Sequence, residues 1–240
     1  MISELWPDGP LLKEDPEVFR LGTDSVLLAH FTKGSLKKSS KRAAELGCGS
    51  GFISICLALA NPEIVIDGIE INTRAAQLAV ENVELNGLNG RINIIEGDLR
   101  QRRLLLQADV YDITVSNPPY YDTGTGVRSS KSGMASARGG ECCSLGDVCD
   151  AAAYLTRNGG SFMLVHKPEK LPVIFRALNE NGFEPKRLRF VQHKAMSPPS
   201  LVLIESRRGG KPSLWIEPPL ILVNDDGSDT VEAKSIYRRA

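Results

Sequence analysis

Apolar runs and amphipathic stripes alternate along most of the chain. Short runs rich in Val and Ile recur at Glu63–Ile71, Ile92–Asp98, Tyr111–Val115 and Ser161–His166, with a shorter one at Ala43–Leu46. Each is bounded by Gly, Pro, Asn or Asp, the boundary chemistry of buried strands. Between them lie stretches with helical spacing. Phe52 to Ala60 is apolar, and the segment from Asn72 places apolar residues at 75, 78, 79, 83 and 85 before Asn86-Gly87 stops it. A helix is predicted over about 144–157. Another starts at Pro168, turns Leu171, Ile174, Phe175 and Leu178 inward, and ends at Asn181-Gly182. Two more strands follow, at about Lys186–Gln192 and Leu201–Ser206, separated by a polar turn with Ser197-Pro198-Pro199. Strand and helix in alternation predict an α/β fold, a mostly parallel seven-stranded sheet with helices on both faces.

Three regions follow from the pattern. Residues 1–42 form a lead-in, with Pro7, Gly9, Pro10 and Pro16 suggesting either a short hairpin or an extended segment, and Thr23 or Asp24 capping a helix through His30. Residues 43–208 carry the sheet. Residues 209–240 read as a polar appendage with a short apolar strand at Leu220–Val223. All three are expected in one structural domain.

Strand Ala43–Leu46 runs directly into Gly47-Cys48-Gly49-Ser50-Gly51 and then a helix. Such a turn lets a ligand approach the backbone and exposes amides at a helix start. A dinucleotide fingerprint needs glycine at 52, where Phe52 stands. The G-x-G-x-G spacing, preceded by Glu45, suits S-adenosylmethionine better than NAD. Glu70 ends the next strand about twenty residues later, where a carboxylate can accept from ribose hydroxyls. Asp98 ends the third strand. It can accept from an adenine amino group or cap the following helix.

The fourth strand delivers Asn117-Pro118-Pro119-Tyr120. Two prolines cannot donate to a sheet ladder, so they hold a fixed turn. An amide stands before that corner and an aromatic ring after it. Asn117 and a freed carbonyl could accept from a planar NH2 group while Tyr120 stacks on its face. Alternatively, the segment is a loop that closes a strand.

Net charge is zero, so nucleic acid would be held by local patches only. Two segments offer them. The Gly, Ser and Thr-rich stretch 121–142 carries Arg128, Lys131 and Arg138, and is either a mobile substrate lid or a disordered excursion. From Pro185 to Lys211 there are seven Lys or Arg and one acid, including Lys186, Arg187 and Arg208. These either contact RNA or are solvated surface charge. The five cysteines include no C-x-x-C pair, and neither a metal site, a signal peptide nor a membrane span is expected.

Taken together, the chain resembles the Rossmann-like S-adenosylmethionine-dependent methyltransferases with an Asn-Pro-Pro-Tyr motif. Within them it is most similar to the bacterial adenine-N6 methyltransferases acting on adenine 37 of a valine tRNA. The residues that carry this are Phe19 to Ala29, Glu45 to Gly51, Asn117 to Tyr121, Val165 to Glu169 and Gly209 to Pro212. The resemblance implies that Glu45, Gly47, Gly49 and Gly51 line the methionine end of the cofactor, Glu70 its ribose and Asp98 its adenine. It implies that Thr23 and Asp24 close over the cofactor, and that Asn117, Pro118 and Tyr120 hold the target base. One departure is Gly140 before Glu141, where a His is expected. The partner implied is tRNA, with no membrane and no metal. A cytoplasmic monomer or weak dimer is expected. Methylation of protein glutamine, of rRNA or DNA bases, and a silent cofactor-binding scaffold are the competing functions.

Overall fold

The computed structural model describes residues 2–6, 9–16, 18, 21–120 and 143–238. In chain order the strands are β1 (Ile2–Glu4), β2 (Leu11–Lys13), β3 (Arg42–Leu46), β4 (Val65–Glu70), β5 (Ile92–Glu96) and β6 (Tyr111–Ser116), then β7 (Thr156–His166), β8 (Phe183–Gln192), β9 (Pro199–Arg208), β10 (Trp215–Ile216) and β11 (Leu220–Ile221). The α-helices are α1 (Thr23–Lys33), α2 (Phe52–Ala60), α3 (Thr73–Leu85), α4 (Arg102–Leu105), α5 (Leu145–Leu155), α6 (Leu171–Glu180) and α7 (Val231–Tyr237).

The seven expected strands form the body of one sheet, in the order β8-β9-β7-β6-β3-β4-β5. β7, β6, β3, β4 and β5 pair in parallel, while β9 inserts antiparallel between β7 and β8. The two-residue strands β10 and β11 extend the sheet parallel to β8, bringing its size to nine. The stretch after residue 208 therefore continues the sheet edge, and Ala233 and Ile236 of α7 are buried against it.

Period-two alternation sends side chains to two cores. Ala43, Met163, Val165, Leu201 and Leu203 pack with Leu27, Leu28 and Phe31 of α1 and the apolar face of α2. Ala44, Phe162, Leu164, Val202 and Ile204 pack on the other face with α5 and α6. Covering both faces is what parallel strands require.

The lead-in forms the expected hairpin, β1 with β2. Its outer strand docks on α3 through two asparagines that act as a strand would. Asn86 accepts from the Leu11 amide at 3.0 Å and donates to the Leu11 carbonyl at 2.7 Å. Asn82 accepts from the Lys13 amide at 2.7 Å. The expected cap of α1 differs. Gly22 occupies the cap position without a side-chain bond, and Thr23 and Asp24 are already helical. Asp24 instead uses Oδ1 on the Ser25 amide of the first turn, at 2.9 Å, and keeps Oδ2 for other partners.

Glu45 sits at 2% exposure between β3 and α2. Its carboxylate accepts from the Ser54 amide at 2.8 Å and from the Ser54 hydroxyl. Burial pushes its pKa up to about 8 against those hydrogen bonds, and the nearby Glu70 charge adds to the rise. An unfolded glutamate releases its proton near pH 4.3, whereas the folded one keeps it several units longer, so folding stability falls as pH rises through this window. One pKa unit corresponds to about 1.4 kcal/mol, so the cost reaches a few kcal/mol.

Arg187 ties α1 to the sheet. It donates to Glu205 at 2.9 Å, Glu217 at 3.1 Å, the Phe31 carbonyl at 3.1 Å and Ser35 at 2.6 Å, with its guanidinium 3.8 Å from the Phe31 ring centroid.

Two outcomes are expected. The thermal midpoint of Glu45→Gln, measured without ligand, should gain on the wild type as pH rises from about 5 to 8; a constant difference would mean that Glu45 is ionised in the fold. Arg187→Met should lose about 3 kcal/mol in urea denaturation, because Glu205 is left buried as an unpaired charge; a loss under about 1 kcal/mol would mean that solvent screens the cluster.

Candidate functional site

The carboxyl ends of β3, β4, β6 and β7 meet at one edge of the sheet. There the chain must leave each strand, and crossover helices keep the loops together, the usual location of ligands in such sheets. The glycine turn after β3 is pinned by Ile69 of β4, whose carbonyl accepts from the amides of Gly47 at 2.9 Å and Cys48 at 3.0 Å. Gly47 and Gly49 hold φ of 74° and 53°, and a Cβ built on either would meet nothing within 4 Å. The turn thus offers bare backbone to open space. Gly51 instead abuts α3, where a Cβ would lie 3.3 Å from that of Ala79.

Glu70 stands beside this turn. It accepts from the Gly49 amide at 2.9 Å and the Asn72 amide at 2.8 Å. Burial lifts its pKa and these backbone bonds oppose the rise. A fixed carboxylate thus stands next to open glycine backbone at neighbouring strand ends. Glu45 is not on this surface. It lies behind the turn at 2% exposure, and its Oε2 accepts both Ser54 bonds, so the structure gives it a supporting place with one oxygen held by α2. Asp98 ends the loop after β5. It accepts from the Arg100 amide at 2.9 Å and pairs with the Arg100 guanidinium at 2.6 Å, and that pairing holds its carboxyl below the usual range. The capping alternative for Asp98 is therefore present.

The Asn117–Tyr120 corner follows β6, which is held to β3 by a bond from the Ser116 hydroxyl to the Leu46 carbonyl at 2.8 Å. Asn117 donates through Nδ2 to Ser25 at 2.9 Å. The Tyr120 hydroxyl lies 2.9 Å from both Asp24 and Asn117 Oδ1. Asp24 is thus brought to the Asn117–Tyr120 corner, and exposed Thr23 stands next to it at the start of α1. Burial, and then Asp24, raise the Tyr120 pKa, so its hydroxyl stays protonated.

Three residues here escaped the sequence reading: Ser25, His166 and Lys167. His166 ends β7 with its ring 5.0 Å from that of Tyr120, edge on. Its Nδ1 accepts from the Lys167 amide at 2.8 Å, which leaves the proton on Nε2, and burial keeps its pKa low. The Lys167 ammonium is 5.5 Å from the Tyr120 ring centroid. A strand carboxyl end is the one signal that marks both His166 and Lys167 in advance.

The basic residues divide. Arg128, Lys131 and Arg138 lie outside the described residues. Arg187 is consumed in the cluster that holds α1. Lys186 donates to Ser213 at 2.9 Å and to the Lys211 carbonyl, and Arg208 pairs with Asp109 and the Thr156 carbonyl. Arg208 also pairs in register with Phe183, at the end of the sheet remote from Asn117. The structure therefore does not bring Lys186, Arg187 and Arg208 to the corner. Among the described residues no group of three or more His, Cys, Asp or Glu converges as metal ligands would, and no helix is long and apolar enough to cross a membrane.

Comparison with known proteins agrees with this geometry. The family model of the methyltransferase small domain matches residues 17–135. The tRNA1(Val) (adenine(37)-N6)-methyltransferase of Tolumonas auensis is 29% identical over 90% of this chain and 86% of its own length. The protein of the same name from Yersinia pseudotuberculosis is 32% identical over 66% of this chain and 61% of its own. That from Aeromonas salmonicida is 32% identical over 52% of this chain, a match that spans half of the relative's length. Among solved structures, a protein from Agrobacterium tumefaciens described as a predicted O-methyltransferase superposes with TM-score 0.73 at 18% identity, covering 90% of this chain and 96% of its own. Geranyl diphosphate C-methyltransferase of Streptomyces coelicolor gives 0.54 at 11% identity, covering 76% and 78%. The glycine turn, the strand-end acid and the Asn-Pro-Pro-Tyr corner all lie within the span that matches the methyltransferase small domain, the family this chain resembles.

Proposed function

We propose that this protein transfers a methyl group from S-adenosylmethionine to the exocyclic N6 amine of an adenine in tRNA, with adenine 37 of a valine tRNA as the favoured site. The observation that carries the reading is the pairing of an amide corner with a bare glycine turn on neighbouring strand ends. The names of the relatives support the choice of substrate.

The glycine backbone at Gly47 and Gly49, with Glu70 beside it, fits the cofactor's amino-acid chain and ribose; Asp98 is close enough in sequence to the β5 end to serve its adenine. When bound, the cofactor supplies an electrophilic methyl carbon. The chain's own task is to present the nucleophile. An aromatic amine is weak because its lone pair is spread into the ring. Accepting its two N–H bonds at Asn117 Oδ1 and the Pro118 carbonyl favours a pyramidal nitrogen with a localised lone pair. Tyr120 supplies an aromatic face for the base. No strong base is needed, because the proton leaves after the methyl arrives. Positioning of this kind accounts for up to roughly 7–11 kcal/mol of barrier reduction. An anticodon-loop base is already unpaired, which lowers the cost of extruding it.

For the RNA backbone, Lys167 at the corner is a contact suited to phosphate, and Arg128, Lys131 and Arg138 remain proposed contacts. The described residues of the proposed site all come from one chain, which supports action as a monomer or weak dimer, and a tRNA substrate supports a cytoplasmic setting.

Incubation with methyl-labelled S-adenosylmethionine and either total tRNA or protein extract tests the reading. Label should appear in the tRNA and be released by nuclease as N6-methyladenosine; label that follows protease instead would mean a protein acceptor. Asn117→Ala should lower kcat by about 100-fold or more, as the loss of a positioned hydrogen-bonding group does, while cofactor Kd stays within about twofold. Glu70→Ala should weaken cofactor binding by about tenfold, in line with loss of one hydrogen bond to a charged group.

A further inference from the structure

Asn117 grips an amine best when two conditions hold. Its oxygen, not its nitrogen, must face the base, and the lone pair aimed at the amine must not be shared with another donor. The start of α1 meets both conditions. Ser25 accepts from Asn117 Nδ2 at 2.9 Å, which turns Oδ1 the other way. There Oδ1 faces the Tyr120 hydroxyl at 2.9 Å. A phenol has a single hydrogen to donate. Left alone with Asn117, Tyr120 would place that hydrogen on Oδ1 and compete with the substrate. Asp24 offers a second acceptor at the same distance, 2.9 Å. A hydrogen bond to a carboxylate is roughly twice as strong as one to a neutral amide, so the hydrogen goes to Asp24. Two bare acceptors then face each other across the corner. An incoming N–H relieves that repulsion.

We propose that Asp24 and Ser25 are positioning residues for methyl transfer: Ser25 sets the orientation of the Asn117 amide, and Asp24 draws the Tyr120 hydrogen away so that Asn117 Oδ1 stays open to the substrate amine. The inference rests on the amine-methylation reading above. It gives Asp24 a role toward the acceptor, distinct from covering the cofactor. The backbone of α1 supports it. With Gly22 at the cap, Asp24 is released from capping and Oδ2 is available to Tyr120, while Oδ1 accepts from the Ser25 amide at 2.9 Å.

A double-mutant cycle tests it. Asp24→Asn should lower kcat about tenfold in the wild-type background, because a neutral amide no longer outcompetes Asn117 for the hydrogen. In the Tyr120→Phe background, where there is no hydrogen to divert, the same change should move kcat by less than about twofold. Ser25→Ala should lower kcat by a similar factor, and Ser25→Thr, which keeps the hydroxyl, should restore it. Cofactor Kd should hold within about twofold throughout. An equal loss in the wild-type and Tyr120→Phe backgrounds, or a cofactor Kd weakened along with kcat, would overturn the proposal. Neutron diffraction from deuterated crystals of the protein alone locates the Tyr120 hydroxyl deuteron. On the Asp24 side it supports the proposal; on the Asn117 side it removes it. This second measurement needs no RNA. A wild-type protein that labels no tRNA therefore refutes the substrate reading, and the deuteron position still decides this one.

Discussion

Parallel pairing is the constraint from which the rest follows. Five neighbouring strands run the same way, so each must return by a crossover, and both faces must be covered by the crossing helices. Ala43 and Ala44 show the consequence within a single dipeptide, one facing the α1–α2 core and the other the α5–α6 core. With both faces filled, polar chemistry is left with the strand ends. Gly47, Glu70, Asn117 and His166 therefore stand at neighbouring strand ends although they span half of the chain.

Helix α1 is held at both ends by polar contacts of different kinds. At its carboxyl end, Arg187 joins the Phe31 carbonyl and Ser35 to Glu205 and Glu217. At its amino end, Asp24 and Ser25 meet Tyr120 and Asn117. The helix is a strut between the β8–β9 pair of the sheet and the Asn117–Tyr120 corner. An apolar face buried along its middle, Leu27, Leu28 and Phe31, keeps the two ends in fixed relation.

Much of this was legible beforehand. Seven apolar runs became seven strands, because a strand buried on both faces leaves a continuous signature. The glycine turn, the strand-end acid and the proline corner are local, so spacing alone located them. What could not be read depends on partners far along the chain. Arg187 looked like a surface cation because Glu217 stands 30 residues away, and of the two two-residue strands only β11, within the apolar run Leu220–Val223, left a signal, while β10 carries no periodicity at all. Glu45 looked like a ligand because nothing in the sequence shows that Ser54, inside an apolar helix, turns its hydroxyl back toward it. The contact of Asp24 was hidden for a similar reason. A glycine took the cap, and the freed carboxylate found a tyrosine 96 residues on.

The asparagines on α3 do more than seat the hairpin. Asn82 is fully buried, and the same amide that holds Lys13 also donates to the Ser50 carbonyl at 3.0 Å, inside the glycine turn. One side chain thus serves as a common hub for the amino-terminal ribbon and the backbone cradle. Peeling the ribbon away would leave that amide with half its partners and let the cradle drift. Removing the ribbon through Lys13 is consequently a perturbation of the glycine turn much further along the chain, reached through one buried amide.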